Sequence, residues 1–328
     1  MNKKYIWIPA MAGLLALGAC SSSDTEDSGS EEEAGSGETT TVQGASGEVE
    51  LEETPQNIVV LEWVYAEDLL ALGVDPVGIA DLEGYNQWVN VEPELPEDIT
   101  DVGTRQEPNL EAIAQLEPDL IITASSRHEA ISDQLNDIAP TVMFEPYPEE
   151  GEGDQYEEME TTFREIASAV DREDEADQVM EELDSSYEEV AAEISDGGYE
   201  GNEILLSQAF SANDTASIRL FTDNSMAVKI MQEIGLENAY DGEEFELYGY
   251  TETNVDALEP YQDSDFMYIV QEEDNVFENQ LAGNDVWEGL NFVEEDRTYA
   301  LPGDTWTFGG PLSAEVFAEQ VSDALTGE

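Results

Sequence analysis

Cations are the scarce residue type in this chain, and three of them fall where a ligand would meet the fold. The 328 residues carry 79 acidic side chains against nine Lys and Arg, a formal net charge of −70. Arg105 follows the short run DITDVG (98–103), and Arg127 follows the continuous apolar run DLIITAS (119–125). Arg219 lies between a β-rich run and a helical pattern further on. A planar guanidinium grips carboxylate and similar anionic oxygens two at a time. In so acidic a protein an anionic ligand would otherwise be repelled, so Arg105, Arg127 and Arg219 are expected to hold one. The competing assignment is a salt bridge to a neighbouring acid. Arg164, Arg172, Lys229 and Arg297 read as structural or surface charges.

Aromatic residues occupy similar loop positions. Trp63 and Tyr65 follow the first apolar run, Tyr147 follows TVMF, and Trp306 lies in GDTWTFGG. Each offers a large apolar face, and Tyr and Trp add a polar tip suited to a mixed ligand. Trp63, Tyr65 and Trp306 are expected at the cleft, whereas Tyr85 and Trp88 read as packing residues. His128 reads as a capping or surface residue rather than an anion ligand.

Other chemistry finds few residues to use. There is one histidine and one cysteine, Cys20, and no G-x-S-x-G elbow or Walker loop is present. A bare transition-metal cage needs more His or Cys than this. No D-x-[DN]-x-[DN]-G calcium loop occurs. The charge disfavours nucleic acid and anionic membrane surfaces as partners. Acidity spread evenly along the chain fits life in high salt, where self-repulsion is screened. A membrane-tethered extracellular α/β hydrolase remains the alternative from another class, opposed by the missing nucleophile elbow.

The N-terminus MNKKYIWIPAMAGLLALGAC has a positive start at Lys3 and Lys4, an apolar stretch and small residues before Cys20. It resembles a bacterial lipoprotein signal with LGAC as lipobox, which implies a signal peptide over 1–19 and a lipid on the Cys20 sulfur. Residues 20–50 are mostly Ser, Asp, Glu, Gly and Thr and are expected to form a disordered acidic tether.

From residue 57 short β-rich runs alternate with helical patterns: NIVVL, AEDLLALG, VDPVGIA, NLEAIAQL, DLIITAS, HEAISDQLNDIA, TVMFEP. Such alternation predicts a parallel sheet covered on both faces. It breaks in an acidic, glycine-rich stretch at 148–155. A helix over 173–194 follows, with Ala176, Val179, Met180, Leu183, Tyr187, Val190, Ala191 and Ile194 on one stripe. The alternation then resumes and ends in PLSAEVFAEQVSDAL. The fold class is therefore α/β: an N-terminal lobe over 51–150, a linker and bridging helix over 151–195, and a C-terminal lobe over 196–328. A single larger α/β domain is the alternative.

IVVLEWVYAEDLLALGVDPVGIA, DVGTRQEPNLEAIAQLEPDLII, IRLFTDNSMAVKIMQEIGLENAY and the stretch from VWEGLNF to the C-terminus resemble the substrate-binding lipoproteins of iron-siderophore and vitamin B12 ABC importers. The resemblance implies two Rossmann-like lobes joined by a single long helix. It also implies a non-catalytic monomer that captures a ferric chelate outside the membrane and needs no cofactor. Delivery would be to an ABC permease with its ATPase, in a monoderm membrane or a diderm periplasm. The ferric-citrate and hydroxamate branch looks most similar, with cobalamin or haem as alternative ligands. In the family one glutamate on top of each lobe docks onto the permease. Glu111 matches the first, while the second position holds Asp256, with Glu252 as a possible stand-in.

Overall fold

The computed structural model describes residues 39–212, 215–242 and 244–327. The signal peptide expected over 1–19, Cys20 and the first part of the tether lie outside the described residues.

The tether expected over 20–50 is folded from Thr40 onward. Strands β1 (Thr40–Gly44) and β2 (Gly47–Leu51) form an antiparallel hairpin in which Val42 pairs with Val49. Val42 and Leu51 are buried, and the Ala45 amide donates to the Met143 carbonyl at 2.7 Å. Composition hid this. Val42, Val49 and Leu51 alternate with polar residues about the turn GASG, and such alternation is enough to bury one face.

The N-terminal sheet contains β3 (Ile58–Val60), β4 (Gly78–Ile79), β5 (Thr100–Asp101), β6 (Leu120–Ala124) and β7 (Thr141–Phe144). Its order is β5-β4-β3-β6-β7, and every pairing is parallel. β6 and β7 are buried at every position, because helices cover both faces. The chain winds outward from β3 to β5, then returns to place β6 on the other side of β3. That reversal leaves a crevice outside the carboxyl ends of β3 and β6, where open α/β sheets bind ligands.

The C-terminal sheet is mixed. β8 (Glu203–Ala212), β9 (Thr215–Phe221), β11 (Tyr250–Thr253), β12 (Asp265–Ile269) and β13 (Thr298–Leu301) run in the order β11-β9-β8-β12-β13, and the short β10 (Glu237–Asn238) also pairs with β8. β8 is antiparallel to β9 but parallel to β12, so a second crevice lies beyond the β8 and β12 ends.

A helix over Glu173–Gly197 runs between the sheets and ends at Gly198, whose φ of 85° is the left-handed cap that glycine adopts without strain. Of the expected stripe, Ala176, Met180, Leu183, Tyr187, Val190 and Ile194 are buried. It packs on the C-terminal helix Pro311–Thr326, whose Pro311 stands at the first turn as its pattern predicts.

That last helix also ties the lobes together. Its N-terminus is capped by Glu67 of the N-terminal helix Trp63–Ala71. The Gly310 and Ser313 amides donate to Glu67 Oε1 at 2.9 and 2.7 Å, and the Ser313 hydroxyl donates to Oε2 at 2.7 Å. Glu67 is fully buried, as is its neighbour Asp68, whose Oδ1 has no partner among the described residues. Burial raises the pKa of both; the bonds from Ser313 and Gly310 oppose this for Glu67, whereas the Glu67 charge adds to it for Asp68.

Candidate functional site

Glu62 leaves the end of β3 as the residue preceding the helix Trp63–Ala71, and its carboxylate is spent on neither cap nor solvent. It lies between the two arginines expected from the sequence. Arg105 Nε donates to Oε2 at 2.9 Å, and Arg127, beyond β6, forms an ion pair with Oε1. Burial pushes the Glu62 carboxyl above the usual carboxylate range, and the Arg105 and Arg127 charges pull it back. The salt bridge to a neighbouring acid is present, yet it fixes only one edge of each guanidinium, and both side chains still line open space.

That space is a cavity of about 350 Å³ over the β3/β6 crevice, and it is lined by Glu62, Arg105, Arg127 and, from the other lobe, Arg219. The size falls within the range of small-ligand sites. Arg219 is held differently. Gln208 Oε1 accepts from one terminal nitrogen at 2.9 Å, and the guanidinium lies 4.3 Å above Tyr250 and 4.9 Å from Phe210. No acid among the described residues pairs with it. Arg219 Nε and Trp306 Nε1 are buried with no hydrogen-bond partner among the described residues. An unpaired buried donor costs about 1–3 kcal/mol, so two on the walls of one cavity favour an acceptor-bearing ligand.

Trp306 lines this cavity as expected. Trp63 does not, although it borders the adjoining cavity of the cleft; it lies behind Arg105, which stacks over it at 4.1 Å, and its indole donates to the Ala80 and Asp81 carbonyls. Trp63 and Trp306 meet at 5.1 Å, so one supports the other. Tyr65 departs from the expected cleft wall. Two residues after Trp63 on a helix it turns inward, where it is fully buried against Phe144 and reaches only a void of about 40 Å³. Tyr147 does line the cavity, in edge contact with Tyr248 across the lobes at 5.0 Å.

His128 corrects the capping-or-surface reading: it is buried with Nδ1 against the Thr123 hydroxyl and does not line the arginine cavity. The other cations among the described residues are paired as structural or surface charges: Arg164 with Asp177, Arg172 with Glu175, Lys229 with Asp154, and Arg297 with Asp265 and Glu295. Sequence reasoning missed Glu62, Tyr248, Tyr250 and Phe308. Only Glu62 carried a signal: an acid directly after an apolar strand is buried, and a buried acid needs a cation.

Glu111 and Asp256 lie apart from the cavity but occupy matching places. Each is exposed in the first turn of a helix, two residues after an Asn cap whose side chain accepts the acid's own amide. Glu252 is a strand residue on β11 and accepts from the Ser217 hydroxyl. Among the described residues no three His, Cys, Asp or Glu side chains are placed to hold a metal ion.

Known proteins resemble this chain in sequence and fold. A family model described as periplasmic binding protein matches residues 58–305. The chain is 31% identical over 312 residues to the Fe(3+)-citrate-binding protein YfmC of Bacillus subtilis, covering 95% of this chain and 93% of that one. It is 30% identical over 276 residues to the iron(3+)-hydroxamate-binding protein FhuD of Escherichia coli, covering 84% and 88%. The crystal structure of the siderophore-binding protein FhuD from Vibrio cholerae with Fe3+-Desferal superposes with a TM-score of 0.74 at 28% identity, covering 83% of this chain and 98% of that one. With two lobes, a cleft between them and a match over most of its length, this chain belongs to the periplasmic binding protein family.

Proposed function

We propose that this protein captures a ferric chelate outside the membrane and delivers it to an ABC importer permease with its ATPase. The carrying observation is the convergence of Arg105, Arg127 and Arg219 on one cavity in a chain with 79 acids. Iron enters as cargo already wrapped in its chelator, so the protein needs to recognise only the chelate's outward oxygens. Arg219 Nε and Trp306 Nε1 supply donors that have no partner among the described residues. Relatives named for ferric citrate and ferric hydroxamates support the same reading. Haem capture is disfavoured because the only histidine is buried away from the cleft.

Glu111 and Asp256 are the proposed permease contacts, and their matching positions after Asn109 and Asn254 favour Asp256 over Glu252. Cys20 is the proposed lipid anchor, which would hold a monomeric binding protein at the outer face of the cytoplasmic membrane.

The test is retention and titration. Protein incubated with ferric citrate or ferric Desferal and then desalted should keep the chelate's absorption, and tryptophan fluorescence should saturate as chelate is added. Absence of both signals with every ferric chelate tried would overturn the proposal.

A further inference from the structure

The cleft continues past the arginine cavity. A second cavity of about 470 Å³ shares Arg105, Arg219, Trp306 and Phe308 with the first. It lies at the C-terminal lobe's own crevice, where Gln208 and Ala209 of β8 and Ile269 at the end of β12 meet. Its remaining walls differ in kind from those of the first: Trp88, Phe210 and Val270 are apolar, and Gln87 and Gln271 offer carboxamides. It gains no cation beyond the shared pair. Glu273 and Asp274 border it, with Asp274 bound to the Ser211 amide, so their charges offset those of the shared arginines and the walls offer an anionic group no net attraction. Gln271 reaches the Gln87 carbonyl at 3.4 Å, which brings the two lobes together at this wall.

We infer that the chelate recognised here has two parts: an iron-bearing head whose anionic oxygens meet the arginines, and an uncharged, amide-bearing organic arm that lies in the second cavity. The inference rests on the proposed capture of a ferric chelate and narrows its class. A compact chelate bearing only carboxylates uses the arginine cavity and leaves the larger one unfilled. An armed chelate buries apolar surface against Trp88 and Phe210 and pairs its amide with the Gln carboxamides.

Two chelates and two substitutions test this. Ferric citrate has no arm, and ferric Desferal acylated on its terminal amine has an uncharged one with an amide. Trp88→Ala removes a wall, and Gln87→Trp, at an exposed helical position, fills the cavity without disturbing the core. Neither residue lines the arginine cavity. Each substitution is expected to weaken the acylated chelate about tenfold or more and to leave ferric citrate within about twofold, as for an apolar contact residue. Equal losses for both chelates, no loss from Gln87→Trp, or failure of the wild type to bind the armed chelate while it binds citrate would overturn the inference alone. Failure to bind either chelate would overturn the proposed function as well.

Discussion

The two lobes hold their arginines by opposite means. On the N-terminal side Arg105 and Arg127 share one buried carboxylate, so three charged groups keep one another in place and present a net charge of one. On the C-terminal side Arg219 rests on two aromatic faces and a carboxamide, with no acid paired to it among the described residues. An ion pair orients a guanidinium firmly but cancels half of what two of them offer an anion. A π face orients less firmly and cancels none of it. The first arrangement is therefore coupled to folding, while the second is largely free of it.

The largest effect should separate them by stability. Removing Arg105 and Arg127 together strands Glu62 as an uncompensated buried charge, which costs about 3–5 kcal/mol. Arg219→Ala leaves no acid behind and should cost under about 1 kcal/mol. Urea unfolding at matched salt measures both. Adding Glu62→Gln to the Arg105→Ala, Arg127→Ala double variant should recover most of the loss. No recovery would mean that the arginines hold the lobe by packing, and the contrast would fail.

The contact between the lobes comes next. Glu67→Ala removes three hydrogen bonds and leaves the Gly310 and Ser313 amides unpaired, a loss of about 2–5 kcal/mol. Glu67→Gln should keep most of that stability, since one carbonyl oxygen accepts both amides and the new NH2 donates to the Ser313 hydroxyl. If Gln is as damaging as Ala in thermal unfolding, the charge at the helix N-terminus matters more than the bonds.

The same contrast explains what the sequence disclosed. Two β/α lobes and a bridging helix were legible because buried parallel strands and a long amphipathic helix repeat their pattern over many residues. Arg105 and Arg127 were legible because each follows a strand, and strand ends face the crevice. Arg219 was placed between a strand and a helix but lies within β9, so its approach to Gln208 depends on the β8–β9 register, in which Gln208 faces Arg219. Tyr65 was misplaced because its loop position said nothing of its helical phase: the chain enters a helix at Trp63, and the turn from 63 to 65 sends it inward. The β1–β2 hairpin was lost because composition outweighed a three-residue alternation.

In binding, Arg219→Ala should weaken a ferric chelate roughly ten- to a hundredfold, the loss of one desolvated charge-assisted contact of about 1.5–3 kcal/mol. Fluorescence titration measures it. Because stability is spared, the loss is one of affinity alone. An affinity unchanged within error would show that the head is held by the N-terminal lobe and that Arg219 only closes the cleft wall.

A smaller effect is a dependence on pH. Burial raises the carboxyl pKa of Asp68 and Glu67 in the fold, so the folded state keeps protons that the unfolded chain has released. The stability these groups contribute is complete below the ordinary carboxylate range and is lost as pH rises through their folded values. Asparagine mimics protonated Asp68. Asp68→Asn should therefore be near neutral at about pH 4 and raise the melting temperature increasingly toward about pH 8, against wild type at the same salt. Parallel melting curves across that range would show that Asp68 is not the group that titrates.

The smallest expected effect lies outside the cleft, where the lobes differ by one methylene. Glu111 and Asp256 stand at matching places, each in the first turn after an Asn cap, and each proposed to meet a cation of the permease. Exposed charges at an interface mainly set association rate and orientation. Lengthening the shorter acid, Asp256→Glu, should therefore leave chelate affinity and unfolding unchanged and alter the rate of binding to the reconstituted importer by only a few fold. Asp256→Ala should slow that binding more, and Glu252→Ala, with its carboxylate already engaged by Ser217, should hardly slow it. The order of the three rates decides the matter. If Glu252→Ala is the slowest, the C-terminal docking acid lies on β11, and the likeness between the two Asn-capped turns is a coincidence of local structure.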